Sequence, residues 1–354
     1  MIASVTLCSG FPAVHAACWL TGGGENLSAP IIHTISLRGA VSIGADLPIN
    51  SIIYNGIGHG STELIDSGLI PHVTCDRSAQ FFALRSATPL RTQLINNTGV
   101  FGNLYESGIP GIGIILSSVT NWNQHEPLPG YTSTAAQLGR PYSLILRLIK
   151  IGPVTPSQIT GASLPQLSFS LGQSGSMVEF LRLSFTGNMN ITTPTCQTPD
   201  VAVHMGTWGV KDFSGIDTGT GWRDASIQMV NCGVFSGTKT DWLYRDGGNS
   251  NYVGNNTWTL TLTPLNGVID STRGIAGISK GDSSATGVGI QIGYGTLSTA
   301  RTNLINFNSS ITENISSTSG SMITIPLAAR YIQTEDTITG GRADSKVTFT
   351  ISYK

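Results

Sequence analysis

The feature that most constrains this chain is a strict two-residue alternation of apolar and polar side chains, repeated at several places. Thr257-Trp258-Thr259-Leu260-Thr261-Leu262-Thr263 puts Trp258, Leu260 and Leu262 on one face and only threonines on the other. Leu167-Ser168-Phe169-Ser170-Leu171, Leu181-Arg182-Leu183-Ser184-Phe185 and Val347-Thr348-Phe349-Thr350-Ile351-Ser352-Tyr353 read the same way. A helix turns its face every ~3.6 residues, so a period of two cannot keep an apolar stripe on it; a half-buried strand can. No window of about 12 residues carries the helical period. Ile112 to Leu116 and Leu144 to Ile151 are nearly continuous apolar runs, as strands covered on both faces are. Gly, Pro, Asn and Asp clusters separate the runs. The expectation is an all-β chain built as sandwiches or barrels.

Length and charge narrow the class. At ~150 residues per domain, 354 residues suggest two domains. Charged residues make up 11 %, against roughly 25 % in an average soluble domain. The net charge of −1 provides no basic excess to neutralise phosphates, which argues against nucleic acid as a partner. A hydrophobic content of 40 % argues against a disordered chain. No apolar run approaches the ~20 residues of a membrane helix. Few charges with abundant Gly, Ser, Thr and Asn fit an exported β-rich surface protein.

The N-terminus and the cysteines agree with export. Met1 to Ala17 is apolar and small, and Val14-His15-Ala16 fits the small-residue rule for signal peptidase, although no Lys or Arg supplies a positive start. Residues 1–16 are read as a signal peptide, with the mature chain starting at Ala17. Of five cysteines, Cys8 leaves with the signal; Cys18, Cys75, Cys196 and Cys232 remain. The simplest pairing is Cys18–Cys75 and Cys196–Cys232, one bridge per half, although four cysteines permit three connectivities. Such bridges need an oxidising compartment. The polar, Pro-stiffened segment Thr192-Thr193-Pro194-Thr195 is the expected linker between domains at 17–191 and 196–354.

Catalytic motifs are missing from the sequence. His125-Glu126 is followed by Pro127 and no second His, and neither a nucleophile elbow nor a P-loop occurs. Gly56-Ile57-Gly58-His59-Gly60 and Gly287-Val288-Gly289 read as β turns or bulges and not as dinucleotide loops. No C-x-x-C supports a metal site. No enzyme activity, cofactor or metal is expected.

From Cys196 to Lys354 the chain resembles a pilin domain of the chaperone–usher fimbriae. The carrying features are Pro194-Thr195-Cys196, Cys232 closing the run Ser226–Asn231, Gly287-Val288-Gly289-Ile290-Gln291-Ile292, Ile325-Pro326-Leu327-Ala328-Ala329-Arg330-Tyr331-Ile332, and the terminal alternating strand. Gly341 and the penultimate Tyr353 hold positions that the family occupies with the same residues. The resemblance implies an incomplete immunoglobulin-like sandwich that lacks its last strand. Such a fold leaves an apolar groove and an unpaired edge, which β-augmentation by a donated strand repairs. The implied partners are a periplasmic chaperone, an outer-membrane usher and the next pilin subunit. The implied interface comprises Gly341, Val347, Phe349, Ile351, Tyr353 and Lys354, with Val347, Phe349 and Ile351 facing the core.

An ordinary pilin has a short donor extension before its first cysteine; here a whole domain stands in that place. Ala17-Cys18-Trp19, Ile109-Pro110-Gly111-Ile112-Gly113-Ile114 and Leu148-Ile149-Lys150-Ile151-Gly152 make it similar to the receptor-binding domains of type 1 and type 3 fimbrial tip adhesins. The resemblance implies attachment to a host glycan or an extracellular-matrix protein, at a fimbrium tip reached through the periplasm. The alternatives are an adaptor pilin without receptor binding and, more remotely, a secreted β-jelly-roll hydrolase. Asn121, Trp122, Asn123, Gln124 and His125 are the candidate receptor contacts: an aromatic platform among hydrogen-bonding groups, expected in a loop. The plainer alternative packs Trp122 back on the sandwich. Trp19, beside Cys18, is expected in the core.

Overall fold

A computed structural model describes residues 18–22, 25–26, 28–58, 72–75, 81–86, 93–95, 103–121, 124–127, 130–134, 144–173, 176–243, 250–316 and 321–354. The signal reading at residues 1–16 lies outside them. Among the described residues the regular elements are β-strands and two short 3-10 turns, Gly161–Ser163 and Val210–Asp212. The all-β expectation holds.

Two sheets build the first half. One runs Ser250–Gly254, Thr238–Trp242, Ile52–Gly58, Leu144–Lys150, Ile112–Asn121, Leu104–Glu106 and Gln93–Ile95 in spatial order. The other runs Gly130–Thr134, Phe81–Ser86, Leu167–Gln173, Ser176–Thr192 and Ser157–Thr160, with Ile31–Leu37 and Ala40–Ser42 lying parallel to the long strand Ser176–Thr192. Between them lies one apolar core holding Ile35, Leu116, Leu148, Phe169, Leu181 and Leu183. The alternating residues Leu167, Phe169, Leu181, Leu183 and Phe185 are all buried, and Leu144 to Lys150 is buried at every position but Arg147. A separate small sheet pairs Cys18–Gly22 with His72–Cys75, and its register sets Cys18 directly opposite Cys75.

The second half has its own core, formed by Trp258, Leu260, Ile290, Leu327 and Tyr353 among others. Its sheets are Arg223–Asp224, Leu327–Gln333, Val288–Tyr294, Ile275–Ala276 and Val268–Asp270; Ile227–Val230 with Met322–Ile325; and Ile311–Asn314, Thr257–Pro264 and Val347–Tyr353. Cys196 and Cys232 are bridged, 36 residues apart. Closing a loop of that size stabilises by about 4 kcal/mol on the chain-entropy estimate.

Three local expectations change. Gly56 and Gly58 sit inside the strand Ile52–Gly58, where Gly56 leaves the space that the Leu243 side chain fills. Trp19 is 40 % exposed and outside the core. The expected loop around residues 121–126 is largely strand, because Ile112–Asn121 turns back on Gln124–Pro127 with Asn121 opposite Gln124. Antiparallel pairing satisfies the backbone of these polar residues.

The halves interlock. The hairpin formed by Thr238–Trp242 and Ser250–Gly254 belongs to the second half by sequence, yet Thr238–Trp242 pairs in parallel with Ile52–Gly58. Leu243 thereby joins the first core. Asp241 is buried beside Tyr54 and accepts an ion pair from Lys239 Nζ at 2.7 Å. Burial first, and the Asp241 carboxylate second, push the Tyr54 phenol up. Nearby, Asn256 is 3 % exposed and lies among groups from both halves. Its Oδ1 accepts from the Ser42 hydroxyl and from Gly237 N–H (3.0 Å), and its Nδ2 donates to Ser42 O (3.3 Å) and Lys354 O (3.2 Å).

Candidate functional site

The terminal strand Val347–Tyr353 forms because its threonines and its apolar residues alternate. It lies at a sheet edge, with Thr257–Pro264 as its partner. The ladder bonds fix which groups face outward. Thr257 and Lys354 exchange both main-chain bonds (2.8 and 2.9 Å), and Leu265 N–H donates to Lys346 O at 2.9 Å. In an antiparallel pair, alternate residues turn their N–H and C=O to the partner. Residues 346, 348, 350, 352 and 354 therefore face Thr257–Pro264. Val347, Phe349 and Ile351 turn theirs to the open side, and among the described residues no strand pairs there. Their side chains pack against the second core while remaining only half-buried. An unpaired edge beside a half-covered apolar surface is a template for an added strand.

The other expected interface residues support this edge. A Cβ on Gly341 would stand 2.5 Å from Ala285 N and 2.7 Å from Ser283 O, so this backbone approach requires glycine. Tyr353 closes the bottom of the core: its ring stacks on Phe235 with centroids 5.8 Å apart, and its hydroxyl lies 3.5 Å from Met229 Sδ. Burial pushes its phenol up. Lys354 is exposed and continues the ladder through Thr257. Cys196–Cys232 flanks the strand Ile227–Val230, beside the pairing of Gln197 with Val230.

The candidate receptor residues fall at the opposite end of the first half. Leu144 pairs with both Gly58 and Ser118 at one end of its strand, while Lys150 at the other end reaches Gly44 and Ala45. Seven strand residues span about 20 Å between those ends. Asn121 and Gln124, paired at the end of their hairpin, lie beyond Ser118 on the Leu144 side, and His125 stands opposite Val119. Trp122 and Asn123 lie outside the described residues. Sequence reasoning missed a second feature, a cavity of about 320 Å³ between the sheets of the first half. Tyr105, Ile114, Leu164 and Phe185 form its apolar walls, with Glu106 and Gln166 as polar lining. Its residues come from four separated segments, and no local motif marks them.

The second half is thus an all-β unit whose terminal strand Val347–Tyr353 lies at a sheet edge. Residues 183–354 match the family model of fimbrial proteins. The whole chain is 24 % identical over 360 residues to a fimbria adhesin protein of Klebsiella pneumoniae, covering 97 % of this chain and 96 % of the relative. Among solved structures it is similar to the CupB6 tip adhesin from Pseudomonas aeruginosa, at 11 % identity and a TM-score of 0.34, covering 96 % of this chain and 94 % of that one. It is also similar to the CsuC–CsuE chaperone–tip adhesion subunit complex of Acinetobacter baumannii, at 12 % identity and a TM-score of 0.25, covering 95 % and 100 %. The resemblance to fimbrial adhesins drawn from the sequence is borne out by the Klebsiella relative and the family match. Fimbrial proteins work outside the cell, where disulfides persist.

Proposed function

We propose that this chain is the tip adhesin of a chaperone–usher fimbrium: a two-domain, non-enzymatic subunit that accepts a strand. The observation that carries the reading is the open edge at Val347, Phe349 and Ile351, with apolar side chains half-covered beneath it. A periplasmic chaperone lends the first strand, the outer-membrane usher passes the subunit on, and the next pilin subunit replaces the chaperone's strand. Residues 17–191 take the place of a donor extension, which puts the chain at the fibre's end. Within that domain the end carrying Asn121, Gln124 and His125 points away from the strand-accepting half, as a receptor-binding end should. Trp122 and Asn123 complete the candidate contacts with a host glycan or matrix protein, and the bridge Cys18–Cys75 would staple the domain.

The test has two arms. Full chain is produced in the periplasm with and without its chaperone; accumulation without any partner would remove the strand-accepting reading. The chaperone-bound chain is then screened on a glycan array with a collagen and fibronectin panel. Binding that falls at least tenfold in Trp122→Ala, with expression intact, supports the distal site. Binding lost in Gln166→Ala and kept in Trp122→Ala moves the site to the cavity beside Tyr105. Incorporation into fibres with no binding to any surface leaves the adaptor pilin.

A further inference from the structure

The open edge is not open along its whole length. Tyr353 is the fourth residue that turns its N–H and C=O outward, and both are already taken by the first half. Tyr353 N–H donates to Asp46 Oδ2 at 2.9 Å, and Asp46 N–H donates to Tyr353 O at 3.0 Å. This is the reciprocal bond pair of an antiparallel rung, with a carboxylate oxygen in place of one carbonyl.

The segment that makes the rung is built into the first half. Ile43 N–H donates to Thr192 O at 2.8 Å, and Leu47 N–H closes a turn onto Gly44 O at 3.1 Å. Lys150 is only 6 % exposed at the end of a central strand, and its ammonium donates to Ala45 O at 2.8 Å and Gly44 O at 3.4 Å. A Cβ on Gly44 would overlap the Tyr353 carbonyl, so glycine permits this approach. On the other side Asn256 Nδ2 holds Lys354 O at 3.2 Å. The end of the terminal strand is thus gripped from both sides.

We propose that Gly44–Asp46 is a stop for the incoming strand. It fills the rung at Tyr353, so an added strand pairs only with Val347, Phe349 and Ile351, and its register is set by the first half of the acceptor. The partner is an extended segment whose alternate apolar residues enter the groove. This inference rests on the strand-accepting reading and deepens it.

The experiment uses full-length chain refolded with either of two synthetic strand peptides. The shorter spans three rungs; the longer extends by two residues at the Tyr353 end. Amide hydrogen exchange and competition between the peptides are read. In the wild type both complexes should protect the amides of Val347, Phe349 and Ile351, Tyr353 should exchange slowly in each, and the affinities should agree within about twofold. In Asp46→Ala the shorter complex should expose Tyr353, whose amide exchanges roughly tenfold faster. The longer peptide should then bind about fivefold more tightly, since it supplies an acceptor for the Tyr353 N–H that lost the Asp46 carboxylate. A longer peptide that binds more tightly to the wild type would overturn the stop. Where Asp46→Ala fails to fold, the wild-type comparison decides alone. Protection by neither peptide would instead remove the strand-accepting reading, and the stop with it.

Discussion

Replacing Asn256 by alanine should destabilise both halves at once. Its side chain makes four contacts: it accepts from Ser42 Oγ and Gly237 N–H, and donates to Ser42 O and Lys354 O. Two of the partners keep another bond, because Gly237 N–H also reaches Ser42 Oγ and Lys354 O also accepts from Thr257 N–H. Ser42 is fully buried and loses the acceptor of its hydroxyl and one donor to its carbonyl. A net loss of about 1 kcal/mol per bond, with the added cost of stranded buried groups, gives about 3 kcal/mol. With unfolding entropy near 2.1 cal/mol/K per residue, that lowers Tm by about 4 °C if the whole chain unfolds together and about 9 °C if the second half unfolds alone. Because Asn256 ties the halves, one transition shifted by about 4 °C is the expected outcome in calorimetry of the full chain. Asn256→Asp should cost at least as much, since it turns two donated bonds into two facing acceptors. A shift below about 1 °C in both variants would refute the assigned role of this network.

Three further outcomes are expected. Phe349→Asp puts a charge into the half-covered groove and should abolish periplasmic accumulation of the full chain, read by immunoblot of periplasmic extracts, while Thr350→Asp on the exposed face should leave it intact. Leu243→Ala should cost about 2–3 kcal/mol in urea unfolding, and Gly56→Ala should cost less in that background than alone, because a Cβ on Gly56 stands 2.8 Å from Leu243 Cδ2; additive costs would show that the two do not share the space. Stability should fall as pH rises above about 10, the unfolded tyrosine pKa, because folding holds the Tyr54 phenol protonated while the unfolded chain releases its proton; Tyr54→Phe should lessen the loss between pH values of about 9 and 11, and an unchanged loss would show that Tyr54 ionises freely.

The sequence discloses the parts of this protein whose physics is local. Alternation over Thr257–Thr263 and Val347–Tyr353 places every apolar side chain on the correct face, because the pleat alone dictates it. Residues 167–171 and 181–185 in the first half were legible for the same reason. The junction was not. Asp46, Ser42 and Asn256 are small polar residues of the kind that usually lie in solvated turns, and only the tertiary fold brings them to Tyr353 and Lys354. The parallel pairing of Thr238–Trp242 with Ile52–Gly58 joins segments nearly two hundred residues apart by numbering, as Lys239 opposite Tyr54 illustrates, and no turn signal announces such a contact. The polar run at Gln124–Pro127 resembled a loop because its sequence carries no apolar alternation to mark a strand.

The parallel seam between Thr238–Trp242 and Ile52–Gly58 also has a mechanical meaning. A single covalent crossing between the halves would by itself be a swivel, since two bodies joined by one strand of chain are free to rotate. Here the seam is a second tether, offset from the first, and the grip on Tyr353 is a third. Three separated points define a plane. A load applied at the distal end is therefore delivered to the second half as torque as well as tension, and the molecule behaves as a lever with a welded base.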